Sequence, residues 1–262
     1  MAAGTGPGGL PALDPGAIAR FAAARARVLE SIERACARSG RDPASVRLVA
    51  VTKTVPVERI RAAVAAGFTT LGENRVQEAE GKVGAVSGAT WHLIGPLQSN
   101  KTRRAVETFG VIESVDSLEL AQRLDRVIRE LRRGEPDGGT TGEHRLPIFL
   151  QVNVDDDPAK AGFRPGDLAA ALASMTALGA LRLDGLMTIG RLVEDPEAAR
   201  PTFSRLRELS DELRVNAPGL GPELSMGMTD DYPIAVEEGA TIVRVGRALF
   251  GARPAVPPTP GE

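Results

Sequence analysis

Eight short apolar runs, each followed by a helical stretch, most constrain what this chain can fold into. They fall at 46–52, 69–73, 91–95, 111–115, 147–153, 182–189, 223–227 and 241–245. The first, Val46-Arg47-Leu48-Val49-Ala50-Val51-Thr52, is almost continuously apolar instead of alternating. Such a strand is buried on both faces, the condition of a parallel sheet covered by helices. Helical stretches fill the intervals at 56–66, 74–86, 100–108, 117–133, 165–178, 196–214 and 231–238, with a short one from 247. The alternation predicts a single (β/α)8 barrel of the TIM type, and 262 residues suit the roughly 250 typical of that fold. An open doubly wound sheet is the alternative, but no G-x-G-x-x-G turn follows the first strand. An extra N-terminal helix is expected from Asp14-Pro15 to about Ser39, capped by the aspartate and stopped by Gly40. Residues 1–14 and the Pro-rich 253–262 read as loose tails around a 15–252 domain. Gly134 to Glu143 reads as a flexible loop before strand five.

Composition narrows the function. A formal net charge of −2 offers no general attraction to nucleic acid or anionic lipid, and 3% aromatic residues make poor stacking platforms. One cysteine, Cys36, excludes an internal disulfide and fits a reducing compartment; in its alanine-rich stretch it reads as a packed thiol. Two histidines and one cysteine cannot build a usual zinc site without carboxylates, so no metal is expected. No apolar run reaches membrane-span length and no signal pattern opens the chain, so a cytoplasmic protein is expected.

A barrel gathers functional groups at the carboxyl ends of its strands. Strand one ends at Lys53, strand two at Gly72-Glu73-Asn74, and strand three at His92-Leu93-Ile94-Gly95 before Leu97-Gln98-Ser99-Asn100-Lys101. Strand five gives Asn153 and Asp155-Asp156-Asp157, strand six Met187-Thr188, strand seven Ser225-Met226-Gly227-Met228, and strand eight Arg244-Val245-Gly246-Arg247. A lysine at such a mouth can be desolvated into a nucleophile for aldehydes. On its own segment, the plainer reading of a rim lysine reaching to water outweighs this. Loops after strands seven and eight are the usual phosphate cradle of the fold, and there Gly227, Gly246 and the Ser225 hydroxyl could approach an anion. Gly246 alone is equally explained by a tight turn. Arg244 should point into the mouth, either paired with a barrel carboxylate or facing a ligand.

An amine opposite a phosphate cradle, with an arginine between, suits pyridoxal phosphate: aldehyde to lysine, phosphate to the far rim, ring nitrogen to arginine. A Schiff-base phosphosugar aldolase would use the same lysine and cradle but needs further acid–base groups, for which His92, Glu73 and a few aspartates are the supply. His92 reads more simply as a satisfied core histidine, Asn100 as a helix cap, and Asp155 to Asp157 as a turn instead of a Mg²⁺ site.

Six segments then carry a resemblance: Ala50-Val51-Thr52-Lys53-Thr54, Gly72-Glu73-Asn74-Arg75-Val76-Gln77-Glu78, His92 to Lys101, Leu186-Met187-Thr188-Ile189-Gly190, Leu224-Ser225-Met226-Gly227-Met228 and Val243-Arg244-Val245-Gly246. In this order, over roughly 15–252, the chain resembles the pyridoxal phosphate homeostasis proteins, single-domain relatives of the barrel half of alanine racemases. The resemblance implies a cofactor carrier without an established reaction, acting on pyridoxal 5′-phosphate supply and so on amino-acid and keto-acid balance. It implies Lys53 as the covalent attachment point, Ser225, Gly227, Gly246 and the backbone of Arg247 as phosphate segments, Arg244 at the pyridine nitrogen, and Asn74 near the cofactor. Apo-enzymes that use the cofactor are the implied partners. Two positions depart from the pattern: Val55 stands where many relatives carry a second lysine, and Arg247 where a small hydroxyl residue is common.

Racemisation needs a base on each face of the substrate. The racemases take the second from a tyrosine of another domain, and a chain ending about eleven residues after Gly251 has no room for one. Its only tyrosine, Tyr232, follows the phosphate segment. The expectation is therefore a non-catalytic carrier and a monomer, with a weak racemase or β-eliminase as the alternative and a phosphosugar aldolase as the second.

Overall fold

The computed structural model describes residues 12–133, 145–190 and 193–251. The expected tails (apart from residues 12–14) and the expected loop at 134–143 lie outside the described residues. Eight parallel strands close into a barrel in sequence order, β1 pairing with both β2 and β8. The strands are β1 (Arg47–Val51), β2 (Thr70–Glu73), β3 (Thr90–Leu93), β4 (Val111–Val115), β5 (Leu146–Gln151), β6 (Leu181–Met187), β7 (Glu223–Ser225) and β8 (Ile242–Val245). The expected (β/α)8 barrel is the fold observed.

Helix α1 (Pro15–Ser39) precedes the barrel, as its sequence signals predict. Asp14 accepts from the backbone N–H groups of Gly16 and Ala17, and Gly40 closes the helix in the left-handed conformation at φ 67°. Phe21, Ala24, Val28, Ile32, Ala35 and Cys36 form its buried stripe at helical spacing. Cys36 is packed as expected, and burial pushes its thiol pKa up. The helices after the strands are α2 (Val57–Ala65), α3 (Val76–Val83), α4 (Thr102–Thr108), α5 (Leu118–Leu131), α6 (Leu168–Met175), α7 (Arg200–Asn216), α8 (Tyr232–Glu237) and α9 (Arg247–Phe250). The ring of helices and the outer faces of the strands share one large apolar core, and α1 packs against α2, α8 and α9.

Boundaries moved where turns intervene. The stretches expected from 165 and 196 open as single 3-10 turns, Pro165–Asp167 and Pro196–Ala199, before α6 and α7 begin. Asn100 was expected to cap α4. It lies instead in the 3-10 turn Ser99–Lys101, and no side chain caps that helix.

Inside the barrel, Val49, Val111, Phe149, Met187 and Ile242 form a small separate cluster. Side chains repeat with period two along a strand. The next inward positions toward the carboxyl ends are therefore Val51, Glu113, Gln151, Ile189 and Arg244. An apolar floor thus gives way to a charged layer and an open mouth.

Candidate functional site

The mouth holds a cavity of about 610 Å³. Val51 and Lys53 reach it from the end of β1, Asn74 and Ile94 from the ends of β2 and β3, and Ile189 from β6. Met228, Thr229 and Asp230 come from the loop after β7, and Arg244, Gly246 and Arg247 from β8 and the start of α9. Five expected site residues, Lys53, Asn74, Arg244, Gly246 and Arg247, therefore share one cavity.

Lys53 is half-buried in a tight turn directly after β1. Its neighbour Thr54 has φ 64°, an outlying conformation for a β-branched residue. Asn74 and Arg75 stay outside α3, although the sequence pattern placed the helix start at 74. Gly95 permits this close turn: a Cβ there would stand 2.4 Å from the Asn74 carbonyl oxygen and 2.8 Å from its Cα. Gly95→Ala must displace backbone, and we expect about 1–3 kcal/mol of destabilisation by urea titration, a loss that Ala at the open Gly84 would not give.

Arg244 is 4% exposed. Its guanidinium donates to Ser225 Oγ at 2.5 Å and to the Thr188 carbonyl at 2.7 Å. Ser225 Oγ donates in turn to Glu113 Oε2 at 2.5 Å, and Glu113 Oε1 meets His92 Nδ1 at 2.5 Å. Burial raises the pKa of the Glu113 carboxyl, but the bond and charge of His92, the Arg244 charge and the Ser225 bond outweigh it, leaving the carboxyl below its usual range. Burial pushes Arg244 down against the Glu113 and Asp231 charges. Of the two sequence readings of Arg244, pairing with a barrel carboxylate is observed, 3.9 Å away at Glu113, and the side chain also lines the cavity. His92 is the satisfied core histidine expected.

Ser225 and Gly227, both expected at the phosphate rim, sit elsewhere. Ser225 is fully buried opposite Met187, level with the barrel floor, with its hydroxyl engaged by Glu113 and Arg244. Gly227 is buried outside the cavity lining. Its φ of 88° and a Cβ position 2.5 Å from the Ala235 Cβ require glycine for chain path and α8 packing. The hydroxyl at the rim is that of Thr229, which the sequence reading missed, and its Oγ1 accepts from the Gly246 N–H at 3.2 Å. Arg247 pairs with Asp230 through its guanidinium, so the cavity's exposed acid is matched by a cation.

The remaining expectations resolve locally. Asp155 accepts from Thr202, and Asp157 turns back on Asn153, as a loop does. Among the described residues no three His, Cys, Asp or Glu side chains gather to hold a metal ion, and no helix is long and apolar enough to cross a membrane. Val55 is buried in the core, and Tyr232 packs against Gly227 outside the cavity lining.

A closed parallel barrel with a lysine after its first strand, facing a cavity rimmed by the ends of β7 and β8, defines a protein of the alanine racemase barrel class. Residues 26–254 match the family model described as alanine racemase, N-terminal domain. The pyridoxal phosphate homeostasis protein of Pseudomonas aeruginosa is 44% identical over 230 residues, covering 87% of this chain and 94% of that one. Its counterpart in Aquifex aeolicus is 39% identical, covering 87% and 96%. The chain belongs to the pyridoxal phosphate homeostasis protein family. PipY of Synechococcus elongatus, solved with pyridoxal phosphate bound, superimposes with a TM-score of 0.71 at 44% identity, covering 84% of this chain and all of that one. The Clostridium difficile alanine racemase shares the fold at a TM-score of 0.67 and 15% identity, over 93% of this chain and 61% of that one.

Proposed function

We propose that the chain binds pyridoxal 5′-phosphate covalently through Lys53 and serves as a cytoplasmic carrier that supplies the cofactor to apo-enzymes. The observation that supports this most is the meeting of an amine, a buried arginine and a Gly-Thr rim in one cavity of about 610 Å³. When bound, the cofactor supplies an aldehyde on an aromatic ring with a phosphate handle. The Lys53 amine would hold the cofactor at its aldehyde carbon through a C=N bond, the carbonyl oxygen leaving as water. Water reverses the bond, and reversibility is what a carrier requires.

At the adjoining rim, since β8 pairs with β1 and the expected opposite placement does not hold, Thr229 Oγ1 and the N–H groups of Gly246 and Arg247 would hold the phosphate, with Thr229 taking the hydroxyl role first given to Ser225. Asn74 would border the ring. Arg244, fixed by Ser225 and Thr188, would face the ring nitrogen. A fixed cation there opposes protonation of that nitrogen, because two like charges would meet. An unprotonated ring stabilises negative charge poorly, and the cavity lining offers no tyrosine as a second base. The site thus holds the cofactor while lacking the means to use it. The relatives named above are called homeostasis proteins, in keeping with a carrier.

Titrating the purified protein with pyridoxal 5′-phosphate tests this reading. A visible absorption band that saturates stoichiometrically and disappears on borohydride reduction is expected. The loaded protein, incubated with L-alanine or L-serine, should yield no D-isomer or pyruvate above a Lys53→Ala control. A protein that stays colourless refutes the cofactor, and product above the control refutes the carrier.

A further inference from the structure

The two peptide groups that flank Lys53 are gripped by two side chains of α3, with a third from β2 holding the Thr52 hydroxyl. Thr54 N–H donates to Glu78 Oε1 at 2.5 Å, while the Thr52 carbonyl accepts from Lys82 Nζ at 2.8 Å. Thr52 Oγ1 donates to Glu73 Oε1 at 2.6 Å. Lys82 closes the set, donating to Glu73 Oε1 and to Glu78 Oε1, each at 2.7 Å.

The grip is buried where burial is costly. Glu73 is fully buried and Lys82 only 7% exposed, yet both carry groups that water would otherwise solvate. All three donors of Lys82 are used, so its nitrogen is held on the cluster by Thr52, Glu73 and Glu78. Nothing in the floor of the barrel needs this cluster, which lies on the outer side of the β1–β2 rim and ends on the turn that carries Lys53. That turn includes Thr54 in a conformation such a residue rarely keeps without a restraint.

We infer that Glu73, Lys82 and Glu78 form a clamp that positions the Lys53 amine for bond formation with the cofactor aldehyde. These are positioning residues: Glu78 and Lys82 touch the peptide groups beside the lysine, and Glu73 touches the Thr52 hydroxyl and Lys82. The inference rests on the cofactor reading above and deepens it. A clamp of this kind acts on the covalent step, because it grips the Lys53 turn from the β2 and α3 side, whereas the phosphate rim is built by β7, β8 and α9 on the other flank of β1.

Two ligands separate the steps. Pyridoxal 5′-phosphate can form the C=N bond, whereas pyridoxine 5′-phosphate carries an alcohol in place of the aldehyde and can only be held. Lys82→Met removes the clamp's centre, and Glu78→Ala removes the hold on Thr54 together with one of the three Lys82 bonds while leaving the Lys82–Glu73 pair and the Thr52 contact. For both variants we expect growth of the visible band to slow about 10- to 100-fold, the scale of a misplaced reacting group. Calorimetric affinity for pyridoxine 5′-phosphate should stay within about twofold, since that ligand makes no bond to the lysine. If Lys82→Met loses its circular-dichroism melt, Glu78→Ala, whose side chain is partly exposed, carries the test. Band growth at the unsubstituted rate, or equal loss of both ligands, overturns the clamp. Failure of the cofactor reading would show instead as a colourless unsubstituted protein, before any variant is made.

Discussion

Lys53→Ala is expected to yield a folded protein that captures no pyridoxal 5′-phosphate covalently. Lys53 sits half-buried on a turn, outside the apolar core, so its truncation should cost no more than about 0.5 kcal/mol, the range of an ordinary surface change. The effect on capture should be complete. Lys82 is held on its cluster by three hydrogen bonds, and Lys160 is held toward the Ile189 carbonyl with Asp155 and Asp157 at 4.0 and 3.8 Å. The visible band and the borohydride-stable adduct should both vanish, while pyridoxine 5′-phosphate still binds at the β7/β8 rim. A borohydride-stable adduct in this variant would move the attachment point to another lysine.

Glu113→Gln is the substitution expected to cost most stability. It keeps the shape but removes the negative charge on which His92, Ser225 and, at 3.9 Å, Arg244 depend. Loss of the Glu113 charge, with Asp231 left as the other negative neighbour of Arg244, is expected to cost about 3 kcal/mol, the low end for breaking a buried pair. A thermal melt should reveal this as a fall in Tm on the order of 10 °C for a chain of this size. The pH dependence follows from the direction of the shift. The folded carboxyl titrates below its unfolded value of about 4.3, so its stabilisation is fully present above that pH. It is lost as pH falls through the folded pKa. The unsubstituted protein should therefore lose stability over that acid range more steeply than Glu113→Gln, in which the titrating group is gone. Parallel acid profiles would contradict the ionised state assigned to Glu113.

Most of the fold was legible because parallel strands buried on both faces leave nearly continuous apolar runs, and β1 through β8 lie within the eight runs or one residue beyond. Lys53 was legible for the same reason: an amine that ends an apolar run must sit at the strand's mouth. Arg244 was legible from the alternation Ile242, Arg244, Gly246. Glu113 was missed although a signal existed. It is a charged residue within Val111-Ile112-Glu113-Ser114-Val115, two positions beyond the inward Val111, so period two alone puts it inside the barrel. The Lys82 clamp left no comparable trace, since Lys82 lies on a short helix among other charged residues, and only the folded path brings its nitrogen to Thr52. Ser225 and Thr229 show a third kind of limit. Four residues apart around the Gly227 turn, only Thr229 lines the mouth, although the sequence reading gave it no role, because a left-handed turn, invisible in composition, decides which hydroxyl faces the cavity.

The account depends above all on which nitrogen carries the cofactor. Loading the protein with pyridoxal 5′-phosphate, reducing with borohydride and mapping the peptides by mass spectrometry decides it directly. The account predicts the reduced cofactor on the peptide containing Val51-Thr52-Lys53, at full occupancy. That peptide recovered unmodified, while the cofactor is found on any other lysine, would contradict it.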